Sequence, residues 1–321
     1  MANSRTSPLF PSTSPLGIGL VGLGRWGRNY VKTLLALPEC RLVATADASA
    51  EARTRAGQEF DIVARSTIEE LLTDPAIEAL AIATPDRTHF SLAAAALATG
   101  RDVLVEKPMA LEPQEAEALA VLAEVSGRVL AIGHTAVYHP GFAALVDKVA
   151  AEPLNTKRHA SAVRTSSGYA DGRSNPIQDL CPHDLAMAIL LLGAPVAARA
   201  RCGRAGIEYA VRFEDGALLD GRAEWCDPPH VRRFDVTGSG SMAELKYPAF
   251  DARSSPLGRQ SLDFIECCRT RRQPLSDGRL GLEVTRCLTA LAASSTDSST
   301  WVPLPGLLHP SSFIIHPSEV A

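Results

Sequence analysis

The sequence predicts an α/β fold in which a doubly wound parallel sheet is followed by an α+β domain with an open, mostly antiparallel sheet. Short apolar stretches alternate with helix-length segments from Leu16 to about Gly133, and this alternation is typical of parallel strands joined by right-handed crossovers. A glycine-rich turn at 22–27 joins the first predicted strand to the first predicted helix. Farther along, large apolar residues occupy every second position from Ile207 to Phe213, which indicates a half-exposed antiparallel strand.

The elements of the first half follow one another as strand and helix. The predicted strands are short and apolar, and they cover Gly17–Val21, Arg41–Ala46, Ile77–Ala83, Asp102–Val105 and Val129–Ile132. The helices between them end at proline or glycine signals such as Pro38 and Gly100, and they cover Asn29–Leu37, Ala50–Phe60, Thr88–Thr99 and Pro113–Ser126.

The second half is richer in strands. Asp215-Gly216 predicts a hairpin turn after the alternating segment. Further strands are predicted at Ala217–Trp225 and Val231–Val236, and helices at Leu262–Arg271 and Leu280–Ala293. We therefore predict four segments, which are a disordered lead-in at 1–15, a first domain at 16–135, a second domain at 136–302, and a tail at 303–321.

Composition excludes several classes of function. The chain has 321 residues, a formal net charge of -4 and a pI of about 6.1, so no basic surface predicts nucleic acid as a partner. The apolar run Leu185–Leu192 is too short to span a bilayer, and no membrane partner is predicted. Seven scattered cysteines without Cys-x-x-Cys spacing predict reduced thiols and a cytoplasmic location. No histidine spacing predicts a metal.

The glycine turn predicts a dinucleotide cofactor. The segment Gly22-Leu23-Gly24-Arg25-Trp26-Gly27 follows a strand and opens a helix, so its backbone N–H groups can approach a pyrophosphate. Asp47 ends the second predicted strand, where a carboxylate accepts the ribose hydroxyls and repels a 2′-phosphate. The first domain is therefore predicted to bind NAD(H), with NADP(H) possible because Arg53 and Arg55 lie nearby. The alternative is a bare glycine turn, with Arg25 and Trp26 covering the loop.

Two further segments predict acid–base chemistry. Lys107 precedes Pro108 at the end of an apolar strand, where an ammonium can stabilise an alkoxide. The alternative is an ordinary solvated lysine. Pro182 fits the first turn of a helix that ends at Leu192, which would place His183 near the helix N-terminus. With Asp179 nearby, His183 is predicted to titrate near neutral pH as a general base; the alternative is that Asp179 only caps the helix.

Together these residues resemble the glucose-fructose oxidoreductase / inositol dehydrogenase / rhizopine-catabolism (Gfo/Idh/MocA) family, over roughly Leu16 to Trp301. The motifs that carry the resemblance are the glycine loop, Ala83-Thr84-Pro85 with His89, Glu106-Lys107-Pro108, and the segment from Asp179 to His183. The resemblance implies a Rossmann first domain and a second domain used for substrate binding and oligomerisation, as a homodimer or homotetramer. It also implies reversible, NAD(P)-dependent oxidation of a secondary alcohol on a sugar or cyclitol.

The resemblance assigns roles to individual residues. Lys107, Asp179 and His183 would form the catalytic trio. The cofactor would lie along the glycine loop, Asp47, Thr84, Pro85, His89 and Glu106. The residues considered for the substrate are Tyr138, Arg164, Tyr169 and Asp184. His134 and His139 flank Tyr138 and could line a substrate cleft.

Within the family, the segments at 179–184 and 225–238 look most like enzymes of nucleotide-linked sugars, so such a sugar is the predicted substrate. Two alternatives stay open, which are an inositol or free-sugar dehydrogenase and a non-catalytic cofactor-binding regulatory protein. Cys181 stands where the family usually has glycine, which puts the substrate choice in doubt. The tail from Phe313 to Ser318 resembles the opening of a hexapeptide-repeat acyltransferase; the alternative is a solvated tail.

Overall fold

The protein is described here from a computed structural model, which covers residues 14–151, 158–167, 175–203, 206–226, 231–237, 241–244, 251–296 and 300–304. Within these residues the chain builds two sheets, a parallel sheet of six strands followed by a mixed sheet of seven. This confirms the predicted fold class. The predicted lead-in and tail lie almost wholly outside the described residues.

The first sheet has the strand order β3-β2-β1-β4-β5-β6, and all of its neighbouring strands are parallel. Its strands are Leu16–Val21 (β1), Cys40–Ala46 (β2), Ala64–Arg65 (β3), Ala79–Ile82 (β4), Asp102–Val105 (β5) and Leu130–Ile132 (β6). The connecting helices are Arg25–Leu35 (α1), Ala50–Phe60 (α2), Glu69–Leu72 (α3), His89–Ala98 (α4) and Pro113–Ser126 (α5). A 3₁₀ turn covers Asp86–Thr88.

Local signals explain where these helices begin and end. The side chain of Ser49 caps α2 by accepting from the N–H of Ala52. Helix α5 begins at Pro113, whose fixed φ suits a first helical position, and ends at Gly127 with a φ of 62°. The prediction that the first helix begins at Asn29 is wrong, because α1 begins at Arg25 directly after Gly24.

The second sheet has the order β12-β11-β7-β10-β9-β8-β13 in the described part of the chain. Its strands are His159–Ser166 (β7), Pro195–Cys202 (β8), Gly206–Phe213 (β9), Leu218–Trp225 (β10), Arg232–Thr237 (β11), Ser241–Glu244 (β12) and Val302–Pro303 (β13). Only the pair β7–β10 is parallel, so the sheet is mostly antiparallel as predicted. The remaining helices are Pro140–Ala150 (α6), Pro176–Leu192 (α7), Pro256–Thr270 (α8) and Gly278–Thr296 (α9), with a 3₁₀ turn at Thr135–Tyr138.

Helix α7 begins six residues before the predicted position. Asn175 caps it by accepting from the N–H of Ile177, and Pro176 occupies the first turn. Pro182 therefore lies inside the helix, and the prediction that it opens the helix is wrong. His183 is consequently well removed from the helix N-terminus, beyond the reach of the positive end of the helix dipole.

The chain returns to the first sheet after it has built the second. Phe264, Ile265 and the two cysteines of α8 pack in the same core as Ile18 of β1 and Tyr30 of α1. Helix α7 and much of α9 fill a separate core beneath the second sheet. The carboxyl ends of β4, β5 and β6 thus lie where the two halves of the chain meet. None of the helices in the described ranges is long and apolar enough to cross a membrane.

Candidate functional site

The glycine loop combines two tight backbone contacts with one open position. Gly22 has a φ of 97°, and a Cβ there would lie 2.4 Å from the carbonyl oxygen of Ala83. A Cβ on Gly27 would lie 1.9 Å from the carbonyl oxygen of Gly22. A Cβ on Gly24, in contrast, would meet no atom within 4 Å, and no side chain caps α1 at this residue. The loop therefore leaves room for an anion at the N-terminus of α1.

Asp47 connects this loop to the end of β2. Its Oδ2 accepts a 2.7 Å hydrogen bond from the N–H of Leu23, and its Oδ1 accepts one of 2.8 Å from the N–H of Ser49. Arg53 donates to the backbone carbonyls of Asp47 and Ala48, at 2.7 and 3.0 Å. That guanidinium is thus engaged in holding the backbone, and each Asp47 oxygen keeps a second lone pair for a ligand hydroxyl.

Glu106, the residue before Lys107, is the centre of a buried hydrogen-bond network. Its Oε1 accepts from the indole N–H of Trp26 and, at 2.8 Å, from the hydroxyl of Tyr30. Gln260 of α8 donates to the same hydroxyl at 2.9 Å. Burial raises the pKa of Glu106, whereas the Tyr30 hydroxyl bond opposes that rise. The carboxyl group therefore holds Trp26 at the glycine loop, and the role that the resemblance implies along the cofactor would act through Trp26.

His89 fastens two loops of this edge together. It is buried, with Nδ1 2.7 Å from the carbonyl oxygen of Pro108 and Nε2 2.9 Å from that of Thr84. Thr84 also accepts a 2.8 Å bond from the hydroxyl of Thr88, and Pro85 precedes the 3₁₀ turn. The structure therefore places His89 behind the loops that follow β4 and β5, where both ring nitrogens are occupied by the protein.

Lys107 and Asp179 come together as the sequence predicts. The Nζ of Lys107 donates to the backbone carbonyl of Asp179 at 3.0 Å and to its Oδ1 at 3.3 Å. The lysine side chain is 16% exposed and the aspartate side chain 34% exposed, so both are partly buried but still accessible to solvent. An ammonium in such surroundings interacts with charge more strongly than it does in open water.

His183 lies in the same cluster, but its electrostatics differ from the prediction. Burial lowers its pKa well below the usual value, and the charges of Arg164 and Lys107 lower it further. The predicted titration near neutral pH is therefore wrong. Among the described contacts, the Asp179 carboxylate contacts Lys107 and not the His183 ring. The carboxylate that was expected to raise the pKa of His183 is therefore paired with the lysine. The Nδ1 of His183 is buried without a hydrogen-bond partner in the described part of the chain.

Two residues that were predicted to contact the substrate form a buried ion pair with each other instead. Arg164 of β7 donates from Nε to both carboxylate oxygens of Asp184 at 3.1 Å and from Nη2 to Oδ1 at 2.5 Å. The two residues are 4% and 1% exposed, and the Tyr209 hydroxyl also donates to Asp184. Buried charges require such pairing, which explains why these side chains face each other.

The other two substrate predictions have different outcomes. The hydroxyl of Tyr138 donates to Oδ2 of Asp263 at 2.7 Å and accepts from the N–H of Ser276 at 3.3 Å. It therefore joins the 3₁₀ turn to α8 instead of facing the Lys107 cluster. Tyr169 lies outside the described residues. Cys181 is buried on α7, and burial raises the pKa of its thiol, so it is a neutral packing group.

The structure adds Ser276 and Arg232 to this region, beside His134, which the sequence already names as a residue of the substrate cleft. His134 follows β6 and is fully buried, with Nδ1 2.9 Å from the hydroxyl of Ser276. Arg232 of β11 lies close enough to His183 to lower its pKa. The position of His134 one strand beyond Lys107 and the position of Arg232 in segment 225–238 are signals in the sequence, whereas Ser276 is distant in sequence and carries none.

The acid sensitivity of the fold should depend on His134. Burial, and secondarily Lys107, lowers its pKa to about 3, whereas an unfolded histidine titrates near 6.5. The unfolded chain therefore binds a proton that the folded chain rejects, and stability is lost as pH falls from about 6.5 towards about 3. Between about pH 7 and about pH 5, we expect the parent to lose about 2 kcal/mol more stability than a His134→Gln variant.

Urea unfolding at the two pH values measures this difference. His159 is the surface control, because it lies on β7 of the second sheet and its side chain is 43% exposed. A His159→Gln variant should lose stability as the parent does. Equal acid losses in the parent and in His134→Gln would contradict the buried, neutral state of His134.

The comparisons with known proteins agree with this geometry. Residues 16–134 match a family model described as an oxidoreductase family with an NAD-binding Rossmann fold. A curated relative is the UDP-N-acetylglucosamine 3-dehydrogenase of Acidithiobacillus ferrooxidans, 33% identical over 184 residues, which are 57% of this chain and 56% of the relative. The match thus spans about half of that relative's length. The NAD-dependent scyllo-inositol 2-dehydrogenase of Bacillus subtilis is 25% identical over 309 residues, covering 83% of this chain and 90% of the relative.

Solved structures share the architecture of both halves. GenD2 from gentamicin A biosynthesis, in complex with NAD, superposes with a TM-score of 0.83 at 24% identity, covering 92% of this chain and 99% of that one. The Acidithiobacillus ferrooxidans 3-dehydrogenase superposes with a TM-score of 0.75 at 25% identity, covering 87% and 97%. The family resemblance of the sequence is thereby confirmed: residues 16–134 form a Rossmann domain of the Gfo/Idh/MocA oxidoreductase family.

Proposed function

We propose that the chain is an NAD(H)-dependent oxidoreductase that interconverts a secondary alcohol and a ketone on a nucleotide-linked sugar. The observation that carries the proposal is the convergence of Lys107, Asp179 and a neutral His183 at the edge of the sheet that also bears the glycine loop. Ligands of open α/β sheets bind at this edge, beyond the carboxyl ends of the strands.

The loop residues fit a dinucleotide. The open side of Gly24 gives space for a pyrophosphate beside the first turn of α1, and Asp47 supplies a carboxylate for ribose hydroxyls. The same carboxylate repels a 2′-phosphate, and Arg53 is engaged with backbone carbonyls, so we propose a preference for NAD(H) over NADP(H). When bound, the nicotinamide supplies the site that accepts or returns a hydrogen with its electron pair.

Residues of the chain would transfer the proton of the reacting hydroxyl group and stabilise the charge on its oxygen. His183 is neutral because its pKa is low, so its ring can accept the hydroxyl proton during oxidation and return it during reduction. The ammonium of Lys107 would stabilise the partial negative charge on that oxygen. Asp179 would hold Lys107 in place through its two acceptors, and Arg164 with Asp184 would support α7 from the second sheet.

Two features favour a nucleotide-linked sugar over a free polyol. The 33% identity to a dehydrogenase named for UDP-N-acetylglucosamine is one, and the position of Arg232 near His183 is the other. An inositol dehydrogenase is the second candidate, because the scyllo-inositol relative aligns along 90% of its own length. Assembly as a homodimer or homotetramer and a cytoplasmic location stay predictions from the sequence.

A substrate panel tests the proposal. The near-ultraviolet absorbance of NADH is followed after NAD is mixed with UDP-N-acetylglucosamine, free N-acetylglucosamine, or myo- and scyllo-inositol at equal concentration. We expect NADH to form with the nucleotide-linked sugar and not with the free sugar. A rise with the inositols alone would move the assignment to the second candidate. No formation of NADH with any of these compounds, despite NADH binding seen by fluorescence, would overturn the proposal.

A further inference from the structure

We propose that His134 is a second donor to the substrate oxygen, held by Ser276 as a neutral imidazole with its hydrogen on Nε2. The inference rests on the proposed function, since it names a further residue for that reaction. His134 follows the strand next to the one that leads to Lys107, and neither the glycine loop nor the Lys107–Asp179 contact uses it.

The register of the first sheet brings His134 to Lys107. Val105 of β5 pairs with Ile132 of β6, and the N–H of Gly133 donates to the carbonyl of Val105 at 2.8 Å. His134 follows Ile132 by two residues and Lys107 follows Val105 by two residues, and the Lys107 ammonium is close enough to the His134 ring to lower its pKa. Gly133 makes this possible, because a Cβ there would lie 2.7 Å from the Glu106 carboxylate.

The hydrogen-bond partners of His134 favour the neutral ring with its hydrogen on Nε2. His134 and Ser276 are both fully buried, and the hydroxyl of Ser276 lies 2.9 Å from Nδ1. No other partner for that hydroxyl occurs in the described ranges, so donation of its hydrogen to Nδ1 leaves fewer buried polar groups unpaired than the reverse bond does. Nδ1 is then the acceptor, and the single ring hydrogen resides on Nε2. Nε2 is itself buried and has no hydrogen-bond partner in the described part of the chain.

The backbone of Ser276 makes this contact rigid. Its carbonyl accepts from the N–H of Ile132 at 2.8 Å, and its N–H donates to the hydroxyl of Tyr138 at 3.3 Å. Tyr138 in turn donates to Asp263, which also accepts from the N–H of Leu275 at 3.1 Å. Ser276 is therefore a positioning residue, held by β6, the 3₁₀ turn and α8.

The electrostatics suit a neutral donor. Burial and the nearby Lys107 ammonium keep the pKa of His134 low, so the ring carries no charge beside that cation. A neutral imidazole can donate from Nε2 without giving up its hydrogen. In alcohol oxidation, His183 would accept the hydroxyl proton, and a bound nicotinamide would supply the acceptor for the hydrogen that leaves carbon with its electron pair. The oxygen becomes a carbonyl oxygen that Lys107 and His134 both contact as donors.

The tautomer is measured directly by nitrogen-15 NMR of the full chain labelled at histidine. His134 is assigned from the signals that disappear in His134→Gln. We expect the pattern of a neutral ring with hydrogen on Nε2 in the parent, and a mixture of both tautomers in Ser276→Ala. A ring with hydrogen on Nδ1, or a doubly protonated ring, would overturn the proposal whether or not the panel of sugars reveals a substrate.

Kinetics measure the effect of the donor. His134→Phe keeps an aromatic ring, although a larger one, and removes the donor, so we expect kcat to fall about 10²- to 10³-fold with the NADH dissociation constant unchanged. His134→Gln keeps an amide N–H near the position of Nε2 and should recover part of this loss. His159→Gln, the surface control, should match the parent.

The kcat of Ser276→Ala provides a second test of the His134 donor if the phenylalanine variant fails to fold. We expect kcat to fall up to about tenfold, which corresponds to the loss of one neutral hydrogen bond that orients the ring. A parent-like kcat in His134→Phe, or in Ser276→Ala where the phenylalanine variant does not fold, would overturn the proposal, because the donor would then be unused. A parent enzyme without activity on any substrate would count against the proposed function. The NMR measurement would still show which nitrogen of His134 carries the hydrogen.

Discussion

Replacing Lys107 with methionine is expected to lower kcat by about 10²- to 10³-fold, the usual cost of removing one donor from an oxyanion site. Methionine keeps most of the side-chain length but offers no charge to the reacting oxygen. The NADH dissociation constant should change little, because the described contacts of the Lys107 ammonium are with Asp179. Steady-state rates and NADH fluorescence titrations measure the two quantities separately.

Lys148 provides the matched control for this change. It lies on the exposed side of α6, outside the site, and Lys148→Met should leave kcat and NADH affinity as in the parent. Thermal unfolding checks that Lys107→Met is folded, since the variant leaves the Asp179 carboxylate without its cation. A folded Lys107→Met enzyme that works at the parent rate would remove the lysine from the mechanism and favour the non-catalytic alternative.

Two glycines of the same loop should respond in opposite ways to substitution. Gly24→Val places its side chain in open space, so we expect stability to change by no more than about 1 kcal/mol, the cost of a poor N-cap residue. The same side chain would occupy the space proposed for the pyrophosphate. We expect the NADH dissociation constant to rise about 10- to 100-fold, as loss of hydrogen bonds to a charged group predicts.

Gly27→Ala is the contrasting variant. Its Cβ would lie 1.9 Å from the carbonyl oxygen of Gly22, so the backbone must shift, and we expect a loss of about 1–3 kcal/mol or more in stability. Urea unfolding and NADH titration of both variants form the test. Parent-like NADH affinity in a folded Gly24→Val protein would show that the cofactor does not approach this loop.

The elements predicted best from the sequence are those bounded by local signals. Strand Asp102–Val105 and helices Ala50–Phe60 and Pro113–Ser126 have the predicted limits, because caps, proline and glycine act within a few residues. Helix α7 was mispredicted for the same reason. Pro182 is a common start signal, but Pro176 and the cap at Asn175 precede it, and the buried helix continues through the second proline.

The contacts that shape the site depend on tertiary structure, and the sequence does not reveal them. Ser276 meets His134 from 142 residues away, and Arg164 of β7 meets Asp184 of α7. The pKa of His183 depends on burial and on Arg164, which no local pattern specifies. The motifs therefore indicate which residues matter, whereas their protonation states require the fold.

The proposed function requires that one site both holds the cofactor and oxidises the substrate. A single-turnover experiment tests it most directly: enzyme preloaded with NAD is mixed with the sugar that is active in the panel, and NADH absorbance is followed in the parent and in Lys107→Met. We expect a rapid rise in the parent and a much slower rise in the variant at equal NAD occupancy. Equal rates in the two proteins, or no rise in a parent shown to hold NAD and sugar together, would contradict it.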